Sequence, residues 1–237
     1  MKTFQYKKDE VNWQLVALLA GMFVIIAVFW NFVLFYPFKL FVVLLHEISH
    51  GLAAVLTGGR IAGIEISQDL GGVCTTVGGW QWLIVMAGYL GSMLWGGLIL
   101  ILASRTKLDK IISTVIGGIV LIIAILFIRP IISFGFLFGI LFGLGIGLTG
   151  WFAPEIVNDI LLKFIGLTSV MYAVIDIKED LISRDIPGSD AFYMSQIIPL
   201  PPVVWGIIWG LLALAAAFFL IRYAATVKEE SPWTHSK

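Results

Sequence analysis

The chain has 237 residues, of which 59% are hydrophobic and 13% charged, with a formal net charge of +0 and a mean hydropathy of +1.00. A soluble globule of this length cannot hide so much apolar surface, because its exterior has to be largely polar. No long basic run is present, so no nucleic-acid partner is expected, and the single Cys74 excludes an intramolecular disulfide framework or a cysteine-rich zinc knuckle.

Repeated apolar runs of about 20 residues predict an all-α polytopic membrane protein, since helices satisfy their own backbone in lipid. The leading MKTFQYKKDE is polar and the run after it is longer than a signal core, so no cleavable signal peptide is expected. About seven transmembrane helices follow in order. The first covers about 13–36, and Pro37 separates it from a second over about 38–57. Residues 58–79, GGRIAGIEISQDLGGVCTTVGG, begin and end in paired glycines and alternate at Ile64-Glu65-Ile66-Ser67, which predicts a short β-hairpin at the membrane surface. A third helix spans about 80–103 and stops at SRTKLDK. A fourth covers about 110–128, Arg129-Pro130 breaks it from a glycine-rich fifth at about 131–150, and a sixth spans about 155–177. Residues 178–201 carry the main charged stretch between helices, and the seventh helix covers about 202–224. With no repeat and no linker, residues 1–237 are expected to form a single integral-membrane domain. Seven crossings would put Lys2, Lys7 and Lys8 on the side of Arg60, Arg129, Lys178 and Arg184, nearly balancing the other side, so the positive-inside rule gives no orientation.

The second helix contains HEISH. Ionisable groups at such a depth are expensive and mark functional sites by default. Positions i and i+4 share a helix face, so His46 and His50 can direct both imidazoles at one metal ion, with Glu47 placed to reach a water in its open position. Zinc with three protein ligands suits this chemistry. A metal-free Glu–His cluster, hydrogen-bonded between helices, would be costly in hydrocarbon.

A third protein ligand is needed. The only other histidine, His235, lies in a polar tail, which leaves a carboxylate. Helix counting puts Asp176 and Asp190 on the side where the second helix ends, and Asp109 and Asp159 on the other. Asp190, in PGSDAFYMSQ, stands where Ser or Asp can open a short helix that dips towards the metal. Asp176, in AVIDIKED, can face the bundle interior as a ligand or hold a histidine tautomer. Both remain candidates.

LLHEISHGLAAVLTGGR, GGVCTTVGG, MAGYLGSMLWG, YAVIDIKEDLISR and GSDA together resemble the site-2 protease group of intramembrane zinc metalloproteases, in its divergent peptidase M50B-like branch. The resemblance runs from about Phe38 to the last helix. It implies that His46 and His50 bind zinc, that Glu47 is the catalytic acid/base, and that a later aspartate completes the site. The better-studied members carry Leu-Asp-Gly where this chain has Ser189-Asp190-Ala191. Gly88 and Gly91 match the family's small-residue helix and would allow close helix approach.

The expected function is therefore hydrolysis of peptide bonds in or near transmembrane segments, with Glu47 activating a zinc-bound water. The expected partners are a membrane-protein substrate and the lipid bilayer. The rival readings are a membrane zinc hydrolase of soluble or lipid-linked substrates, and a non-catalytic scaffold or chaperone retaining the fold. A multi-pass protein of a bacterial plasma membrane is the expected setting.

Overall fold

The computed structural model describes residues 11–178 and 189–226, with the side chains of Asp176 and Lys178 outside the description. Eight α-helices and one two-stranded sheet are present among these residues: α1 Trp13–Val28, α2 Tyr36–Leu56, β1 Arg60–Ile66, β2 Gly72–Val77, α3 Gln81–Arg105, α4 Asp109–Phe127, α5 Phe134–Phe152, α6 Glu155–Lys178, α7 Asp190–Ile197 and α8 Pro202–Ala225. Six segments are long and apolar enough to cross a membrane: those built on α2, α3, α4, α5, α6 and α8. The protein is a polytopic helical membrane protein.

The first predicted helix is shorter than its apolar run. It ends at Val28, and a turn at Phe29–Phe32 and one 3-10 turn at Val33–Phe35 lead into α2. Pro37 does not separate the helices; it sits in the first turn of α2, where a missing N–H costs nothing. The Asn12 side chain caps α1 by accepting from the Leu15 N–H, and the Asn12 N–H donates to Ala225 O, 2.9 Å away. The start of α1 therefore lies at the end of α8, where Arg105 also packs 3.4 Å over the Tyr223 ring. This overturns the expectation that the N-terminal side is the side of Gly58. With α1 as a shorter apolar helix of 16 residues beside the six long segments, the expected count of about seven approximately holds.

The predicted hairpin is present, with β1 and β2 antiparallel in a register that pairs Arg60 with Val77 and Ile66 with Gly72. Its base is tight: a Cβ on Gly59 would lie 2.7 Å from the Gly78 carbonyl carbon, which accounts for the paired glycines. The hairpin runs back along α2. Ile61 and Cys74 face Gly51, Gly72 faces Glu47, and at the turn Gln68 O accepts from the Tyr36 hydroxyl at 2.6 Å. The outer side of β1 is covered, because Ile64 bridges to Ile128 and Ile64 O accepts from the Arg129 N–H. No third strand pairs with β2 among the described residues.

Helix α3 is the centre of the bundle, packing on α2, α6, α7 and α8. Its glycines set the spacing: Gly91 receives Ser49 of α2, and Gly96 receives Ser169 of α6. The α4–α5 pair is equally close, with Gly117 so near α5 that a Cβ there would stand 2.5 Å from Gly147 N. Backbone cannot yield as a side chain does. Gly117→Ala is therefore expected to destabilise the fold by about 1–3 kcal/mol. Gly118→Ala, next to it with nothing within 4 Å, should be neutral or slightly stabilising, since alanine is the better helix former. Thermal unfolding of both variants in detergent checks this, and equal melting temperatures would refute the close packing.

Candidate metal centre

Helix α2 presents His46 and His50 one turn apart, and its tight approach to α3 aims them. A Cβ on Gly88 would stand 2.5 Å from Nε2 of His46 and 2.6 Å from Cε1 of His50, so only glycine leaves room for both rings. Nδ1 of His50 lies 2.6 Å from Ile84 O, a contact that needs Nδ1–H as donor and leaves the Nε2 lone pair facing the cavity. The His46 ring stands edge-on to Tyr89, with ring centres 4.9 Å apart at 78°.

The aspartate arrives from α7. Ser189 caps that helix by accepting from the Phe192 N–H, and Asp190 is its first residue. Ala191 and Met194, both buried, fix α7 against Val85, Tyr89, Trp205 and Trp209. Oδ2 of Asp190 comes to 3.2 Å from His46 Nε2 and 3.4 Å from His50 Nε2, and the two Nε2 atoms are 3.0 Å apart. Burial alone would push the Asp190 carboxyl up; when the imidazoles are protonated, the charges of His50 and then His46 outweigh it and hold the group well below the usual carboxylate range.

Of the two aspartates predicted from the sequence, Asp190 is thus brought to the histidines, while the side chain of Asp176 lies outside the described residues. Asp109 and Asp159 are elsewhere, as the helix count requires: the Asp109 N–H donates to Glu155, and Asp159 pairs with Lys163 one turn along α6.

The three ligand atoms all lie within 4.8 Å of one another. Asp190 Oδ2 is fully buried there, with the two imidazole nitrogens as its close polar neighbours. With the His50 proton committed to Ile84 O, its Nε2 lone pair and the Asp190 carboxylate face one point beside His46 Nε2, and a cation is what such a donor set accommodates. Two nitrogens and one carboxylate oxygen suit a borderline metal ion.

Glu47 is 5% exposed and lies against the hairpin. A Cβ on Gly72 would fall 2.5 Å from its Oε1, and the Cys74 backbone hydrogen-bonds its carboxylate. These residues line an open cavity of about 710 Å³, whose walls also include Val43, Leu70, Thr76, Gln81, Tyr193 and Gln196. The roles of Gly72 and Ile84 were not read from the sequence, because each acts through backbone that a neighbouring element brings in.

The fold and this site define a class: a helical membrane protein with a largely buried His–His–Asp cluster, open on one side to a cavity, and an adjoining glutamate. A family model described as Peptidase M50B-like matches residues 19–220, and the chain belongs to that family. No curated protein and no solved structure matches it.

Cys74 lines the same cavity, and its thiol is pushed up to about 12, first by burial and then by the nearby Glu47 carboxylate. Below that value little thiolate exists. At pH 8 alkylation by iodoacetamide should be about a thousandfold slower in the folded protein than in denatured chain, where a thiol titrates near 8.5. The folded-state rate should rise about tenfold per pH unit. Equal rates before and after denaturation would show that neither burial nor Glu47 raises the thiol.

Proposed function

We propose that the protein is an intramembrane zinc metalloprotease that cuts peptide bonds in or near transmembrane segments. The observation that carries this reading is the convergence of His46 Nε2, His50 Nε2 and the buried Asp190 Oδ2 beside Glu47 in a cavity within the bundle. Family membership agrees with peptidase chemistry.

His46, His50 and Asp190 would hold the metal, with a fourth position left to the cavity. Zinc bound there supplies a Lewis acid that acidifies water and polarises a carbonyl. Glu47 takes a proton from the attacking water and passes it to the leaving amine. Its position between the histidines and the hairpin allows both transfers, since the carboxylate is fixed by the Cys74 backbone on one side and open to the cavity on the other. Asp190 offers its Oδ2 beside the Nε2 atoms of both histidines.

A helical substrate hides its carbonyls in its own hydrogen bonds and has to unwind first. The outer edge of β2 offers an extended segment backbone partners, with Gly71, Gly72, Gly78 and Gly79 leaving the cavity wall free of side chains there.

The test is metal content followed by cleavage. Purified wild type should carry close to one zinc per chain after loading. His46→Ala and Asp190→Ala should lose it, Asp176→Ala should keep it, and Glu47→Gln should keep it while cleavage of membrane-protein substrates falls by about 10²–10⁴. Folded wild type without zinc would refute the reading. Undiminished cleavage by Glu47→Gln would refute the role of the glutamate.

A further inference from the structure

The three atoms of the site come from two separate elements, α2 and α7, and nothing in the chain between them forces a given distance. Tyr89 of α3 joins the two. Its ring stands edge-on to His46 at 4.9 Å, and its other flank meets Trp209 of α8 at 5.5 Å. Trp209 in turn meets Trp205 at 5.9 Å. The same packed cluster holds Ala191 and Met194, which seat the helix that begins with Asp190. Tyr89 is 3% exposed and sits directly after Gly88, the residue that makes room for both imidazoles.

His50 has its ring plane set by the contact of Nδ1 with Ile84 O. The His46 ring meets His50 of its own helix at 4.7 Å and Tyr89 of α3 at 4.9 Å, and an imidazole pressed edge-to-face against a buried aromatic of another helix loses its freedom to turn. We infer that Tyr89 is a positioning residue, whose ring fixes the His46 imidazole and references it to the α7–α8 cluster that carries Asp190. The ring does this work, through contact on both flanks. The inference rests on the metal reading above, and concerns which side chain makes the ligand geometry rather than which residues bind.

Cobalt(II) serves as the probe, because its visible absorption reports ligand geometry without any need for activity. Full-length protein in detergent is titrated with cobalt, affinity is read by competition with a chelator, and melting temperature is followed in parallel. Tyr89→Phe, which keeps the ring, should bind within about threefold of wild type with the same spectrum. Tyr89→Leu should bind about ten- to a hundredfold more weakly, with a changed band, as for other residues that orient a ligand. If Tyr89→Leu does not fold, Tyr89→Met carries the same test. Met93→Ala loosens the same cluster, and should lower the melting temperature while leaving cobalt affinity near wild type.

An unchanged affinity and spectrum in Tyr89→Leu overturns the inference. So does an equal loss in Tyr89→Phe, which would assign the effect to the hydroxyl, or in Met93→Ala, which would assign it to general looseness. Failure of folded wild type to take up cobalt is a different result, and sinks the metal reading itself.

Discussion

The closeness of α2 and α3 is the constraint on which the rest depends. Two imidazoles one turn apart can meet a carboxylate from another helix only if the helix behind them presents no side chain, and Gly88 is that gap. The same surface of α3 admits Ser49 at Gly91 and Ser169 at Gly96, so one stripe of glycines sets the distances to both α2 and α6. In lipid, where apolar surfaces gain little by meeting each other, such backbone proximity is what holds helices together. The packing motif and the site are therefore one feature: a larger residue at 88 would disturb the helix pair and the histidines alike.

Polar groups at this depth need partners, and the bundle supplies them from backbone. Ile84 O accepts from His50, the Cys74 backbone holds Glu47, and Ser49 Oγ donates to Leu45 O within its own helix. Asp190 Oδ2 stands apart from this pattern, buried between two ring nitrogens rather than against backbone. A buried carboxylate whose close polar neighbours are two imidazole nitrogens is arranged around a ligand, because an apolar core would otherwise be cheaper.

Much of this was legible in the sequence, and the exceptions have physical causes. HEISH is readable because spacing within a helix fixes direction, and the hairpin because paired glycines bracket an alternating segment. The limits of α1 were not readable: Phe29 to Phe35 turn with a single polar side chain, Asn31, among apolar ones, and a hydropathy run carries through such a turn. The choice between Asp190 and Asp176 was open because each lies on the correct side of the helix count, and only packing of Ala191 and Met194 tells where α7 sits. Tyr89 stood in plain view in MAGYLGSMLWG, but an aromatic in an apolar helix reads as core, and only its contact with His46 distinguishes it.

The position of Glu47 links the rigid part of the molecule to the exposed part. Its backbone belongs to α2, which α3 fixes, yet its carboxylate rests on Gly72 and the Cys74 backbone of β2. The β1 side of the sheet is tied down through Ile64 to Ile128 and Arg129, whereas β2 faces the cavity. A peptide paired along β2 would thus bear on the same residues that hold the glutamate, a few ångströms from the ligand atoms. Binding of an extended segment and alignment of the proton-carrying group would then be one event, and a helical segment, unable to pair, would leave Glu47 where the empty hairpin holds it.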